Sequence, residues 1–121
     1  MRLHVPALFS LCLLGCADHH CDLMKREDFP SPDGKHVAAV FEMCCYDTTG
    51  YYPRVSVLRA RQKLDGSGNV FSGGPGDLVT VSWTAADSLL LEYRVAEEFV
   101  SPLPASTNID GVTVTLKRLP K

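Results

Sequence analysis

The side chains of this sequence with the greatest capacity for chemistry are its five cysteines and the adjacent pair His19 and His20. His19, His20 and Cys21, flanked by Asp18 and Asp22, bring together imidazole, thiolate and carboxylate groups, which zinc and copper take as ligands. A preorganised metal site also needs a supporting shell, and no second cluster with zinc spacing follows in the sequence. We therefore expect no bound metal and no cofactor.

A second set of residues could supply a hydrolytic triad. Serine nucleophiles, a histidine base and aspartate orienters are all present: Ser31, Ser56, Ser82, Ser88, His36, Asp33 and Asp87. None of the serines lies in a nucleophile elbow or in another recognisable catalytic frame. Asp33 and His36 are explained by a turn and by the start of a strand. The sequence therefore predicts that the protein is not an enzyme.

The first sixteen residues have the pattern of a bacterial lipoprotein signal peptide. Arg2 gives the positive start, Val5–Leu14 forms the apolar stretch, and Leu13-Leu14-Gly15-Cys16 resembles a lipobox. The apolar stretch is shorter than the roughly 20 residues that a membrane-spanning helix needs. An ordinary cleaved signal or a buried helix are the alternatives. We expect cleavage before Cys16, whose side chain is then lipidated and anchors the protein in a membrane.

This pattern predicts the domain organisation and the location. Residues 1–15 are the signal peptide, residues 16–28 are the lipidated cysteine and a tether, and residues 29–121 are a single β domain of ordinary size. Ala17 follows the lipidated cysteine, which is similar to the sorting signals of outer-membrane lipoproteins. We expect a lipid anchor in the bacterial cell envelope, on the outer membrane and facing the periplasm.

The number of cysteines that remain in the mature chain then predicts one disulfide. Cys12 leaves with the signal peptide and Cys16 carries the lipid, so Cys21, Cys44 and Cys45 remain in an oxidising compartment. A bridge from Cys21 to Cys44 or to Cys45 closes a loop of roughly 25 residues, which is worth about 3 kcal/mol in the chain-entropy model. A strained bridge between the neighbouring Cys44 and Cys45 is the third possibility.

Charge and composition bear on the partner. The net charge of −2 and the scattered basic residues, apart from the short stretch Arg54–Lys63, disfavour nucleic acid. The connection Cys44–Pro53 concentrates aromatic and hydroxyl side chains, which suit a contact surface. Its candidate binding residues are Tyr46, Thr48, Thr49, Tyr51 and Tyr52. Alternatively, some of these tyrosines cap the end of the fold.

The elements that must position these residues are β-strands. Apolar runs and period-two alternation predict strands over His36–Met43, Arg54–Arg59, Leu78–Trp83, Ser88–Val95 and Val112–Leu119. Short separations favour hairpins, with Trp83 as a core residue opposite Tyr93. The glycine-rich segment Leu64–Asp77 is expected to be an exposed flexible loop, with a short strand or a hydrophobic clip at Asn69-Val70-Phe71. The fold class is mainly β, a small antiparallel sandwich or a curled meander of five to six strands.

Several of these segments together resemble a family of small uncharacterised bacterial lipoproteins. The resemblance is carried by an SPDGK turn at Ser31–Lys35, a Cys/Thr-Thr segment at Cys45–Gly50, a GNVF element at Gly68–Phe71, and a hairpin with Trp83, Leu89 and Tyr93. The chain departs from that pattern at Cys44 and Tyr46. The resemblance implies a shared architecture from about Phe29 to Leu116 and no particular activity.

The expected function is that of a membrane-anchored, non-catalytic β domain of the envelope that binds an envelope protein or a glycan, or supports an assembly. The alternative is a periplasmic inhibitor or immunity protein that acts against a lysozyme-like or toxin enzyme. An inhibitor should expose a rigid protruding loop, a scaffold should show a flat apolar patch, and an enzyme should show a pocket with converging titratable groups.

Overall fold

Alternating apolar residues give this chain two β-sheets that face each other. The structure, a computed structural model, describes residues 21–45, 50–96 and 103–120, with the backbone alone for Cys45. The predicted signal peptide, Cys16, His19 and His20 lie outside the described residues, and so do Tyr46, Thr48 and Thr49. No helix among the described residues is long and apolar enough to cross a membrane.

The described residues form eight strands: β1 Cys21–Pro30, β2 His36–Cys45, β3 Tyr52–Arg59, β4 Phe71–Ser72, β5 Leu78–Ala85, β6 Ser88–Arg94, β7 Ser106–Ile109 and β8 Val112–Arg118. The first sheet has the order β1-β2-β3-β4 and the second has the order β5-β6-β8-β7. The mainly β prediction is confirmed. The strand count is higher than five to six, and the second sheet is mixed, because β6 pairs with β8 in parallel.

The core lies between the two sheets and follows from the period of two along each strand. Every second residue of β6 and of β8 is buried, and β3 and β4 contribute from the opposite side. The buried members include Val55, Val57, Phe71, Leu89, Leu91, Tyr93, Val112, Val114 and Leu116. The rings of Phe71 and Tyr93 meet across the sheets with their centroids 5.5 Å apart.

The turn between β7 and β8 reverses the chain, and this reversal lets β8 pair in parallel with β6. Asp110 and Gly111 both adopt positive φ angles, 51° and 85°, which fit a tight two-residue hairpin turn. An Asp-Gly pair is the typical sequence of such a turn. The turn places β8 between β6 and β7.

The predicted tether is wrong from Cys21 onward, because residues 21–30 form β1. The strand pairs with β2 along its whole length, with a bulge at Met24 between Leu23 and Lys25. Almost all of its side chains are exposed, so its sequence has the polar character of a tether. Backbone pairing with β2 defines this edge strand, and the indole Nε1 of Trp83 donates to Phe29 O at 2.8 Å.

The hairpin register also corrects the predicted position of Trp83. Trp83 pairs with Leu89, whereas Tyr93 pairs with Val79. Trp83 is half-buried at the edge of the core.

The glycine-rich segment Leu64–Asp77 is more ordered than a flexible loop, because Asn69 fixes it to β3. Val57 N–H donates to Asn69 Oδ1 at 2.8 Å, and Asn69 Nδ2 donates to Val57 O at 2.9 Å. The side-chain amide thus replaces a neighbouring strand, and Phe71 follows as a core residue of β4. Gly68 is required here, since it has a φ of 72° and a Cβ would lie 2.6 Å from Phe71 O.

Replacing Asn69 should therefore lower the free energy of unfolding more than is usual for a residue on the surface. Asn69→Ala leaves both polar groups of Val57 without their partner, and we expect it to lower the free energy of unfolding by about 2 kcal/mol. Asn69→Asp, which keeps the acceptor and removes the donor, should also be destabilising at neutral pH. Urea unfolding curves of the three proteins check this. Asn108→Ala on β7, measured alongside, is the control, and a loss for Asn69→Ala as small as that of Asn108→Ala would contradict the assignment.

Candidate functional site

β2 turns apolar side chains to both faces of the first sheet. Ala38 and Val40 face the core between the sheets, whereas Ala39, Phe41 and Met43 lie on the outer face with Leu58 of β3. Phe41 is completely buried there. Since no third sheet covers this face among the described residues, the segment after β3 folds back over it and packs Leu64 against the cluster.

This cover is incomplete and leaves a groove, which we call the outer groove. It has a volume of about 670 Å³ and runs between β1 on one side and the segment 59–66 on the other. Its apolar lining comes from Leu23, Val37, Met43, Leu58 and Leu64. Shielded apolar surface with polar groups at the margin is the usual composition of a binding site.

The rim of the outer groove is unequally charged. On the side of the segment, Arg59, Arg61 and Lys63 outnumber Asp65. On the side of β1, Arg26 is paired with Asp28, with Arg26 Nε 2.8 Å from Asp28 Oδ1, and Asp22 adds a negative charge. The positive side of the groove is therefore the one formed by the segment 59–66.

Arg61 is held on this rim in a left-handed backbone conformation, with a φ of 73°. The turn around it is fixed on both sides: Arg59 N–H donates to Gln62 Oε1 at 2.9 Å, and Gln62 N–H donates to Arg59 O at 3.0 Å. A left-handed conformation costs a residue with a Cβ roughly 1–2 kcal/mol. Strained non-glycine residues cluster at functional sites, although they also occur in ordinary turns such as that at Asp110.

The cysteines lie at one end of the β1–β2 ladder. Cys21 is directly opposite Cys45 in the register, and Cys44 is opposite Asp22. Among the described residues Cys44 is a free, half-buried cysteine. Cys21 lines the end of the outer groove.

The predicted binding loop falls mainly outside the described residues, which include only Tyr51 and Tyr52 of its five candidates. Tyr51 is 51% exposed. Tyr52 is the first residue of β3, pairs with Met43 and is half-buried.

The candidate triad residues do not come together, and each of them makes hydrogen bonds in a different part of the fold. Ser31 is buried in the turn before β2, where its hydroxyl donates to Asp33 Oδ1 at 2.7 Å and accepts from His36 N–H at 3.1 Å. The hydrogen bond from Ser31, followed by that from Lys35 N–H, lowers the pKa of Asp33 below its ordinary value of 3.8. His36 Nε2 lies 3.0 Å from Asp110 Oδ2 and links β2 to the second sheet.

The remaining serine and aspartate candidates are also dispersed. Ser56 is buried on β3 and its hydroxyl accepts from Asn69 N–H at 3.0 Å. Ser82 lies on β5, and Ser88 at the start of β6 bonds its neighbour Asp87 at 3.3 Å. Within residues 21–45, 50–96 and 103–120, no three His, Cys, Asp or Glu side chains form a group that could hold a metal ion.

Sequence reasoning did not find the outer groove. Its two walls are separated by some thirty residues of sequence, and their approach depends on the chain folding over β2 and β3. The basic stretch Arg54–Lys63 was the available signal, since its last residues form the positive rim.

Comparison with models of protein families, with curated proteins and with solved structures finds no match to this chain.

The strain at Arg61 gives a stability prediction. Arg61→Gly and Arg61→Ala both remove the charged side chain, but only glycine adopts the left-handed conformation freely. We expect Arg61→Gly to be more stable than Arg61→Ala by about 1 kcal/mol in urea unfolding.

The same pair of substitutions at Arg59, which lies at the end of β3, serves as the control. There alanine should be the more stable of the two, because glycine weakens a strand. An alanine at position 61 that is as stable as glycine would show that the turn relaxes and stores no strain.

Proposed function

We propose that this chain is a lipid-anchored, non-catalytic β domain of the bacterial envelope, on the outer membrane and facing the periplasm, that binds a partner in the outer groove. The observation that carries the binding role is the groove itself, which has a volume of about 670 Å³, is lined by both apolar and charged residues, and has a positive rim on one side. The anchor is supported by the sequence pattern of residues 1–16. The resemblance to small bacterial lipoproteins supports the same location.

The chemistry of the outer groove favours an extended peptide segment of an envelope protein. Leu58 and Leu64 offer a surface for an apolar side chain, and Arg61 and Lys63 beside them offer charge to an acidic neighbour in the same segment. Glycan sites commonly stack sugar rings on aromatic side chains, and none of the described residues that line this groove is aromatic. A peptide with adjacent apolar and acidic residues fits better than a glycan.

The inhibitor or immunity alternative depends on a protruding loop at Cys44–Pro53. Residues 46–49 of that loop lie outside the described part of the chain. The proposed function is therefore based on the outer groove and not on this loop.

The predicted disulfide belongs to this proposal, as a bridge from Cys21 to Cys45. Directly opposed residues of an antiparallel pair have Cα atoms about 4.5–5.5 Å apart, within the range that a disulfide spans. The register opposes Cys21 to Cys45, whereas it opposes Cys44 to Asp22. The bridge would fasten β1 to β2 at the point where the anchor joins the domain.

Intact mass spectrometry of the protein purified from membranes of its native host tests the anchor and the bridge together. We expect a diacylglyceryl or triacyl modification on a chain that begins at Cys16. Alkylation in urea without reductant should label Cys44 alone, and reduction should expose two further thiols.

Two matched variants locate the bridge. Cys44→Ser should leave no cysteine open to alkylation before reduction, and Cys45→Ser should make Cys21 reactive. An unlipidated chain with Cys21, Cys44 and Cys45 all reactive would refute the anchored domain.

Photo-crosslinking in the native host tests the outer groove. A photoreactive residue at Gln62, on the groove rim, should form a discrete adduct with an envelope protein, and one at Asn108 on β7 should not. Lys63→Glu should reduce the Gln62 adduct severalfold because the rim then repels an acidic segment.

Lys35→Glu, which reverses an exposed lysine away from the groove, should leave that adduct unchanged. Adducts of equal yield at Gln62 and Asn108 would count against binding in the groove.

A further inference from the structure

The exposed apolar side chains of the described residues are few and are gathered at one end of the molecule. Four large apolar side chains are substantially exposed, with fractions between 48% and 59%: Leu23, Met24, Tyr51 and Leu78. Isolated exposed apolar residues are normal on a protein surface, but a set confined to one region marks an interaction site.

The strand registers place these four residues at the end where β1 begins. Leu23 pairs with Met43, which in turn pairs with Tyr52, the neighbour of Tyr51. Met24 is the bulge residue that follows Leu23.

Leu78 reaches the same end from the second sheet. It is the first residue of β5, and it lines a small hollow together with Lys25, Glu42 and Pro53, which pair with one another across β1, β2 and β3. We call this end, with Leu23, Met24, Tyr51 and Leu78, the tether end.

The opposite end of the sandwich has a different surface. It carries the turn at Asp33–Lys35, the turn at Asp110–Gly111 and the start of β6 beside Asp87. None of these described residues is a large exposed apolar side chain, and apart from the glycines of the turns they are polar or charged. The two ends are therefore chemically distinct, and the apolar one is where the preceding chain enters.

The proposed anchor lies very close to the tether end. Cys16 is five residues before Cys21, where β1 begins, and five extended residues span at most about 18 Å. A strand of ten residues such as β1 is roughly 33 Å long. The tether is thus shorter than the domain itself, and the tether end must stay next to the membrane surface.

The described residues at the tether end carry charges of both signs. Lys25 pairs in register with Glu42, and Arg94 is opposite Leu78 with Asp77 adjacent in sequence. A membrane contact here does not need anionic lipids. Tyrosine and long apolar side chains are the residues that settle at the boundary between headgroups and acyl chains.

We propose that the tether end docks on the lipid bilayer, with Leu23, Met24, Tyr51 and Leu78 at the headgroup boundary. This rests on the proposed lipid anchor and adds an orientation to it. The short tether limits the range of orientations that the domain can take relative to the membrane. Insertion of the four side chains then selects one of these orientations. The sandwich then stands on the membrane with the turns at Asp33–Lys35 and Asp110–Gly111 farthest away, and the outer groove opens to the side.

Depth-dependent fluorescence quenching of the full lipidated chain in phosphatidylcholine vesicles tests this proposal. A tryptophan is introduced by Tyr51→Trp at the tether end or by Lys35→Trp at the opposite end, and Trp83 provides the shared background. With lipids brominated near the headgroup end of the acyl chains, the emission added by Tyr51→Trp should be largely lost. The emission added by Lys35→Trp should be retained, and Leu78→Trp should behave like Tyr51→Trp.

The outcomes separate this proposal from the anchor on which it rests. Mass spectrometry of the protein in the same vesicles verifies the lipid on Cys16. If Tyr51→Trp and Lys35→Trp are quenched equally in lipidated protein, the proposed orientation is overturned and the anchor is unaffected. A Tyr51→Trp emission that is unquenched but shifts to the blue as protein density rises shows that a second copy covers the tether end, and it also overturns the proposal. A chain without lipid overturns the anchor itself.

Discussion

The structure depends on one constraint, which is that β2 must be covered on both of its faces. Its apolar residues alternate between the interior of the sandwich and the outer face, and Ala38, Ala39 and Phe41 are all completely buried. The second sheet covers the inner face. The outer face is left to the segment after β3, which explains why Leu64 folds back and why the segment is fastened at Asn69. The outer groove is the space that this narrow cover cannot fill.

Polar contacts at both ends of the first sheet hold this arrangement in position. Arg54 Nη1 donates to Gly66 O at 2.6 Å and secures the covering segment where it turns. At the far end, Asp110 accepts contacts from both His36 and Arg59, so the last turn of the second sheet is tied to the first. These exposed or partly exposed pairs add little stability individually. The Arg54 contact holds the covering segment that forms one wall of the groove, and the Asp110 contacts set the relative position of the two sheets.

The parts of the fold that could be predicted from the sequence are those with a local pattern of apolar and polar residues. The strands beginning at His36, Leu78, Ser88 and Val112 were found at those same residues, because the first is a continuous apolar run and the others have one apolar face. β1 was missed because nearly all of its side chains are exposed, so its sequence has no apolar face, and backbone pairing with β2 is not visible in a sequence. The partnership of β6 with β8 was not predictable either, since periodicity defines a strand without naming its neighbour. The outer groove depends on such long-range placement and was missed for the same reason.

The parallel pairing of β6 with β8 determines when this domain can become folded. β1, β2 and β3 are neighbours in sequence and in space, so the first sheet assembles from local hairpins. The second sheet is different, because the centre of its buried face needs Val112, Val114 and Leu116 of the last strand. Contacts between distant segments form late, after the entropy of closing the intervening chain has been overcome. The second sheet therefore closes over the core only once Val112, Val114 and Leu116 have joined β6, whereas the first sheet needs no residue beyond Ser72 for its own pairing.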